Sequence, residues 1–204
     1  MSDAVIGPDG AARCPWATSA PDYLAYHDEE WGRPVHDDQG LFERLTLEGF
    51  QSGLSWLTIL RKRPAFRRAF CDFDISKVAA FGAADEARLL ADAGIVRNRA
   101  KVAAAIRNSK AAAELDGGLS ALLWSFAPDP DGRRAPRALD DIPAQTAESK
   151  AMAKALKRVG FVFVGPTTCY ALMQAIGMVN DHLVDCVARD TTVPTATGSS
   201  RGPR

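Results

Sequence analysis

The sequence predicts an all-α protein, and three observations carry that reading. Apolar residues recur at helical spacing through most of the chain. Proline, glycine and small polar residues stand at the borders of these periodic stretches, where helices start and stop. Only FVFVG, at 161–165, reads as strand-like, and it is short enough to be an extended connector.

The elements follow in order. YLAYHDEEW begins after Pro21 and Asp22, a helix start signal. Asp38 precedes QGLFERLTLEGFQ, in which Leu41, Phe42, Leu45, Leu47 and Phe50 form an apolar stripe. Ser55 can cap WLTILRKR. Pro64 then fits the first turn of a separate helix, PAFRRAF, because proline has no N–H for a helix interior. ISKVAAFG and DEARLLADAG are short helices, each closed by glycine. RNRAKVAAAIRNSKAAAEL is long and alanine-rich, and Gly117–Gly118 stops it before LSALLWSFA. Residues 127–144, rich in Pro, Asp, Gly and Arg, read as an exposed excursion. TAESKAMAKALKRVG and PTTCYALMQAIGMVN are the last long helices. Residues 1–12 and 191–204 are expected to be disordered tails, leaving a single domain over 13–190 with no internal repeat.

A chain of 204 residues can bury a full core without disulfide staples. Hydrophobic residues make up 47% and charged residues 25%, which argues against disorder. Four cysteines in this length are not a disulfide framework. The opening MSDAVIGPDG lacks the apolar centre of a signal peptide, and no run approaches a membrane span. The expectation is a soluble monomer of a reducing bacterial cytoplasm, near the nucleoid. Twenty-five Lys and Arg balance twenty-five acids, so net charge points to no polyanion. That balance hides a division. Residues 1–60 hold three basic residues against ten acids, and residues 61–110 hold twelve against five. The basic third concentrates in RKRPAFRR and GIVRNRAK, which are either phosphate-binding clusters or solvated helix faces.

Three constellations carry chemistry. His182 and Cys186 are four apart, which on a helix places both on one face. With Cys14 and His27 they make a Cys2His2 set suited to tetrahedral zinc; the alternative is buried thiols and satisfied core histidines. LLADAGIVRNRAKVAAAI reads as two helices around a turn at Gly94. There backbone N–H groups with Arg97, Arg99 and Lys101 could hold a phosphate, or the turn is an ordinary glycine-capped connection. Finally, Trp16, Trp31 and Trp56 lie with Tyr23 and Tyr26 in the first sixty residues, and Glu48 interrupts an apolar helix. A carboxylate among ring faces would suit a flat, cationic or amino-bearing ligand; the alternative is core aromatics and an exposed acid.

Taken in order, RCPW, YLAYHDEEWGRPVHDD, LFERLTLEGFQSGLSW, DAGIVRNRAK and KRVGFVFVGPTTCYALMQAIGMVNDHLVDC resemble the 3-methyladenine DNA glycosylase I family over about residues 13–187. The resemblance implies a helix-hairpin-helix DNA glycosylase fold, with the hairpin at about 84–110 and a small zinc-tied module joining the N- and C-terminal segments. It implies one structural zinc on Cys14, His27, His182 and Cys186. It implies a base pocket of Trp16, Trp31, Trp56, Tyr26 and Glu48, with Glu48 kept ionised and Tyr26 orienting the base. Gly94, Arg97, Arg99 and Lys101 would then hold the DNA backbone. Phe50 stands where the family pattern leads one to expect a polar residue, and the 128–137 stretch is individual to this chain. The implied activity is release of 3-methyladenine, flipped out of double-stranded alkylated DNA, leaving an abasic site without strand cleavage. The rival readings are a zinc-stabilised hairpin protein that binds damaged DNA without catalysis, and a binder of free purines or methylated cations.

Overall fold

The computed structural model describes residues 2–129 and 132–191. A short antiparallel ribbon, β1 (Val5–Ile6) with β2 (Ala12–Arg13), precedes nine α-helices among the described residues. These are α1 (Pro21–Glu29), α2 (Asp38–Gln51), α3 (Trp56–Ala69), α4 (Ile75–Ala79), α5 (Ala83–Ala91), α6 (Arg99–Ala113), α7 (Gly118–Trp124), α8 (Ala147–Arg158) and α9 (Pro166–Ala175). None is long and apolar enough to cross a membrane.

The axis of the fold is α2. It buries residues almost all round its circumference, so it sits inside a ring of neighbours instead of on a surface. α3, α6, α7 and α9 pack around it, α4 lies on α6, and α8 covers α9. The Phe42, Phe50, Phe66, Phe70 and Phe73 rings stack and tilt against one another in the centre. Phe50 therefore spends its ring on the core, 4.7 Å from Phe66. Caps fix the helix ends. Asp37, one residue earlier than the sequence signal placed the start, accepts from Gly40 N at the head of α2. That frees Asp38 to accept from Leu119 N and Ser120 N, pinning the start of α7 onto α2.

Several expectations change. Pro64 does not begin a new helix; α3 runs through it. Arg63 and Arg67, one turn apart across the proline, both reach Glu43 at 2.6 and 2.9 Å, and Ile59 and Phe66 share the buried face. These ties hold one continuous axis despite the missing N–H. The N-terminal segment expected as a disordered tail is folded. Ser2 Oγ donates to Asp185, Asp3 N to Arg137 O, and the β1–β2 ribbon packs its Arg13 into a double ion pair with Asp9 and Asp28. The expected C-terminal tail lies, after its first residue, outside the described residues. Part of the 127–144 excursion is anchored: Pro136 O accepts from Val184 N, and Arg133 meets Asp181. FVFVG is an extended connector, with Phe163 in the left-handed region at φ 58°.

The charge division along the chain also resolves. Basic residues of α3 pair with acids of the first third: Arg61 with Asp22, Arg63 with Glu30 and Glu43, Arg67 with Glu43. Most of the RKRPAFRR cluster is therefore an internal tie between segments.

Candidate active site

A cavity of about 270 Å³ opens between α1, α2, α3 and α9. Trp16, Trp31, Tyr26 and Trp56 wall it, and Glu48, Gln51 and Gln174 are its polar groups along with the tyrosine hydroxyls. The sequence brings these together because α2 is central. Glu48 faces away from the apolar core while staying under the rings of α1 and α3. The rings brace each other: Trp16 meets Trp31 edge-on at 5.1 Å, and Tyr26 leans on Trp56 at 5.4 Å.

Glu48 is 7% exposed, and its carboxyl makes no hydrogen bond or ion pair with any described residue. Burial alone pushes it up to about 8. The sequence expectation of a carboxylate kept ionised is thus corrected for the open pocket, where the neutral acid is the favoured form at pH 7. Tyr26 is pushed up by its own burial and then by the nearby Glu48 charge, so its phenol stays protonated. A buried acid with no partner, ringed by aromatic faces, is a receptor for a cation or an N–H donor.

The predicted metal ligands converge. His27 Nε2, His182 Nδ1 and the Cys14 and Cys186 sulfurs all lie within 4.8 Å of one another, and all four residues are buried. Neighbouring ligand atoms stand 3.2, 3.4, 3.6 and 3.9 Å apart. A tetrahedral zinc with bonds of about 2.0–2.3 Å needs ligand separations of roughly 3.3–3.8 Å, so this donor set fits such an ion. The outer contacts fit too. His27 Nδ1 faces Asp28 Oδ1 at 2.7 Å and His182 Nε2 faces Trp31 O at 3.2 Å, leaving the inward nitrogens free to ligate. Leu183 N donates to the Cys14 sulfur. His182 and Cys186 are not on a helix, as their spacing had implied. The chain there runs in successive turns, and Cys186 N returns to Leu183 O. Cys14 precedes Trp16 by two residues, and His27 and His182 pack edge-on against Trp16 and Trp31. The cluster forms the back of the pocket wall.

The segment expected as a hairpin is two helices, α5 and α6, joined by a turn at 92–98. A side chain at Gly94 would meet Ala65 Cβ at 2.9 Å, so glycine lets the turn rest on α3. Lys62 ties that contact by donating to Ala93 O and Gly94 O. Arg97 and Arg99 are exposed, with Arg99 reaching Glu86. Lys101 leaves the expected DNA-facing group. Its ammonium is turned inward, donating to Phe50 O and Ser52 O at 2.8 and 2.5 Å, where the carbonyl end of α2 attracts a cation.

Sequence reasoning missed Gln51 and Gln174 as cavity residues. Gln174 carries the same signal that exposed Glu48: a polar residue inside an apolar helix, PTTCYALMQA. A second cleft shares Glu48 and Gln51 and is lined by Gly53, Leu54, Thr167 and Thr168.

Comparison with known proteins follows the same lines. A family model described as methyladenine glycosylase matches residues 16–189. The DNA-3-methyladenine glycosylase of Haemophilus influenzae is 47% identical over 177 residues, covering 85% of this chain and 96% of the relative. A crystal structure of 3-methyladenine DNA glycosylase I superposes with a TM-score of 0.81 at 45% identity, covering 86% of this chain and 98% of the other. A variant of 3-methyladenine DNA glycosylase I in complex with 3-methyladenine gives a TM-score of 0.80 at 35% identity, covering 87% and 97%.

Proposed function

Since the chain belongs to the methyladenine glycosylase family and is a DNA N-glycosylase acting on 3-methyladenine, we propose that charge recognition at Glu48 is how it selects its substrate. The observation that carries this is the buried, unpartnered carboxyl among the rings of Trp16, Tyr26, Trp31 and Trp56.

N3 methylation makes the adenine of a nucleotide cationic and weakens its glycosidic bond. Neutral adenine holds its bond and has no charge to offer. A cationic base entering the cavity replaces the solvation that Glu48 lost on folding. It draws the carboxyl back into the ionised form, so base uptake expels a proton. Tyr26 orients the base, and the indole faces favour the cation over a neutral purine. When the C1′–N9 bond breaks, its electron pair passes to the ring, the base leaves neutral, and positive charge moves to the sugar. Water adds at C1′ and gives up a proton, leaving an abasic site. No lysine lines the cavity or the adjoining cleft among the described residues, which supports hydrolysis without a covalent enzyme–sugar step.

The remaining parts follow from position. Leu54, 41% exposed on the turn after α2, stands at the rim of the second cleft and is placed to fill the gap left by an everted nucleotide. The α5–α6 hairpin, with the Gly94 turn, Arg97 and Arg99, grips duplex backbone without reading sequence. One zinc on Cys14, His27, His182 and Cys186, all protein ligands, supplies structure and polarises nothing in the reaction.

The test is release of free base from methylated duplex DNA. Wild type should liberate 3-methyladenine and leave an abasic site that borohydride does not trap, and Glu48→Gln should lose most of that release while still binding DNA. Unchanged release by the variant overturns the role given to the carboxyl.

A further inference from the structure

Beside the cavity lies a buried polar network that the reaction as derived does not use. Asp181 is 3% exposed and receives three donors. Arg133 Nη2 reaches Oδ1 at 2.7 Å, while Tyr170 Oη and Gln174 Nε2 both reach Oδ2, at 2.5 and 2.9 Å. Arg133 also donates to Tyr170 Oη at 2.9 Å. Arg133 comes from the 127–144 excursion, Tyr170 and Gln174 from successive turns of α9, and Gln174 lines the base cavity.

The chemistry of this network fixes one atom. A carboxylate bridged to a guanidinium, as Asp181 is to Arg133, only accepts, and its second oxygen already takes the Tyr170 hydroxyl. Gln174 must therefore turn its NH2 group toward Asp181. Its carbonyl Oε1 points the other way and takes no hydrogen bond from any described residue. An amide on a surface would rotate freely between donor and acceptor faces. This one is held as an acceptor, on the cavity side where Glu48 also accepts once ionised.

We propose that Gln174 Oε1 is a specificity-determining acceptor that favours methylated purines bearing an amino group over those bearing a carbonyl at the same ring position. Asp181 is its positioning residue and Arg133 closes the network. This deepens the base-pocket reading above and rests on it. An exocyclic amino group finds an acceptor waiting. A carbonyl in its place sets lone pair against lone pair, and a buried polar group is left unpaired on each side.

The experiment measures kcat/KM for release of 3-methyladenine and of 3-methylguanine from methylated DNA. Gln174→Met should lower the value for 3-methyladenine by about three- to tenfold, the range for one neutral hydrogen bond, and should lower the preference over 3-methylguanine by a similar factor. Gln174→Leu should give the same ratio if the first variant folds poorly. Asp181→Asn, which can accept or donate, should release the amide to turn and depress the same ratio. In the Gln174→Met background it should change the ratio no further. A merely structural role for Asp181 would reduce melting temperature and both activities together, in either background. An unchanged ratio in the glutamine variants, or equal shifts from Asp181→Asn in both backgrounds, overturns the proposal. Failure of wild type to release 3-methyladenine overturns the underlying reading instead.

Discussion

Replacing Glu48 with glutamine should stabilise the protein while disabling it, and the gain should depend on pH in a defined sense. Burial raises the carboxyl from 4.5 to about 8 in the folded protein. The folded state therefore keeps a proton that the unfolded chain releases. Stability from this site is fully present below about pH 4.5, declines as pH rises, and levels off above about 8. At 1.36 kcal/mol per pKa unit, wild type at pH 7 gives up about 3 kcal/mol relative to a side chain that cannot ionise. For a chain of this size each kcal/mol moves the melting temperature by about 2–4 °C, so the variant should melt roughly 6–12 °C higher at pH 7. The two proteins should nearly coincide at pH 4.5. The assay is a series of thermal melts of both proteins from pH 5 to 8 at constant zinc. A gap that widens with pH is the expected outcome. Parallel curves would refute the reasoning, because they would mean that the carboxyl ionises at its ordinary value and that the cavity does not desolvate it. The residue would then be storing no free energy for a cation to release.

Other outcomes follow from the same structure. Proton release on binding an abasic-resistant, N3-methylated nucleotide analogue should approach one per site at pH 7 and fade above about 8, as seen by calorimetry in buffers of different ionisation enthalpy; no buffer dependence would contradict the linkage. Glu43→Ala removes one of the two acids that pair the buried Arg63, leaving Glu30, and should cost about 1.5–3 kcal/mol in denaturant unfolding; a loss under about 0.5 kcal/mol would make the pair incidental. Arg99→Ala should weaken DNA binding across all sequences and flatten its salt dependence, whereas Lys101→Met should lower the melting temperature; the reverse assignment would return Lys101 to the DNA surface. Cys186→Ser should lose bound metal and thermal stability together, and metal analysis showing full occupancy in the variant would contradict the ligand set.

What the sequence made legible was whatever repeats locally. The helical periods of α2, α6, α8 and α9 appear in single turns of chain, and so does the cap at Ser55, whereas the Asn98 cap, read as the second residue of its helix, emerges only in the structure. Pro64 misled because local rules weigh a missing N–H but not the Arg63–Glu43–Arg67 tie that straightens α3 from outside it. Lys101 misled for a related reason. Counting charge in GIVRNRAK cannot show that one ammonium faces the carbonyl end of another helix, fifty residues away in the chain. The β1–β2 ribbon was invisible because its stability comes from Arg13 bridging Asp9 and Asp28, not from any strand pattern. In the site itself, residue types were legible and their states were not. Glu48 was identifiable as an acid among apolar neighbours, but its protonation follows from enclosure by α1, α3 and α9, which only the assembled fold provides.

That enclosure explains why the Cys2His2 cluster and the aromatic cavity lie side by side. Trp16 lies on a single 3-10 turn, Pro15–Thr18, and Trp31 on the turn after α1, and such short pieces alone are poor holders of flat walls. Cys14 lies two residues before the first indole, His182 accepts the edge of the second, and His27 lies between both. Fixing the four side chains fixes the two indoles that pack on them. A Gly177 side chain would collide with the backbone of Gly32, Arg33 and Pro34, so the loop bearing Trp31 is also pressed flat against the end of α9. Rigid walls matter here because the raised Glu48 follows from its burial beneath them. Walls that opened would hydrate the carboxyl, let it ionise without a ligand, and erase the difference between a cationic and a neutral purine. A Cys2His2 cluster set behind the cavity can thus bear on selectivity, by holding two of the rings that enclose one acid.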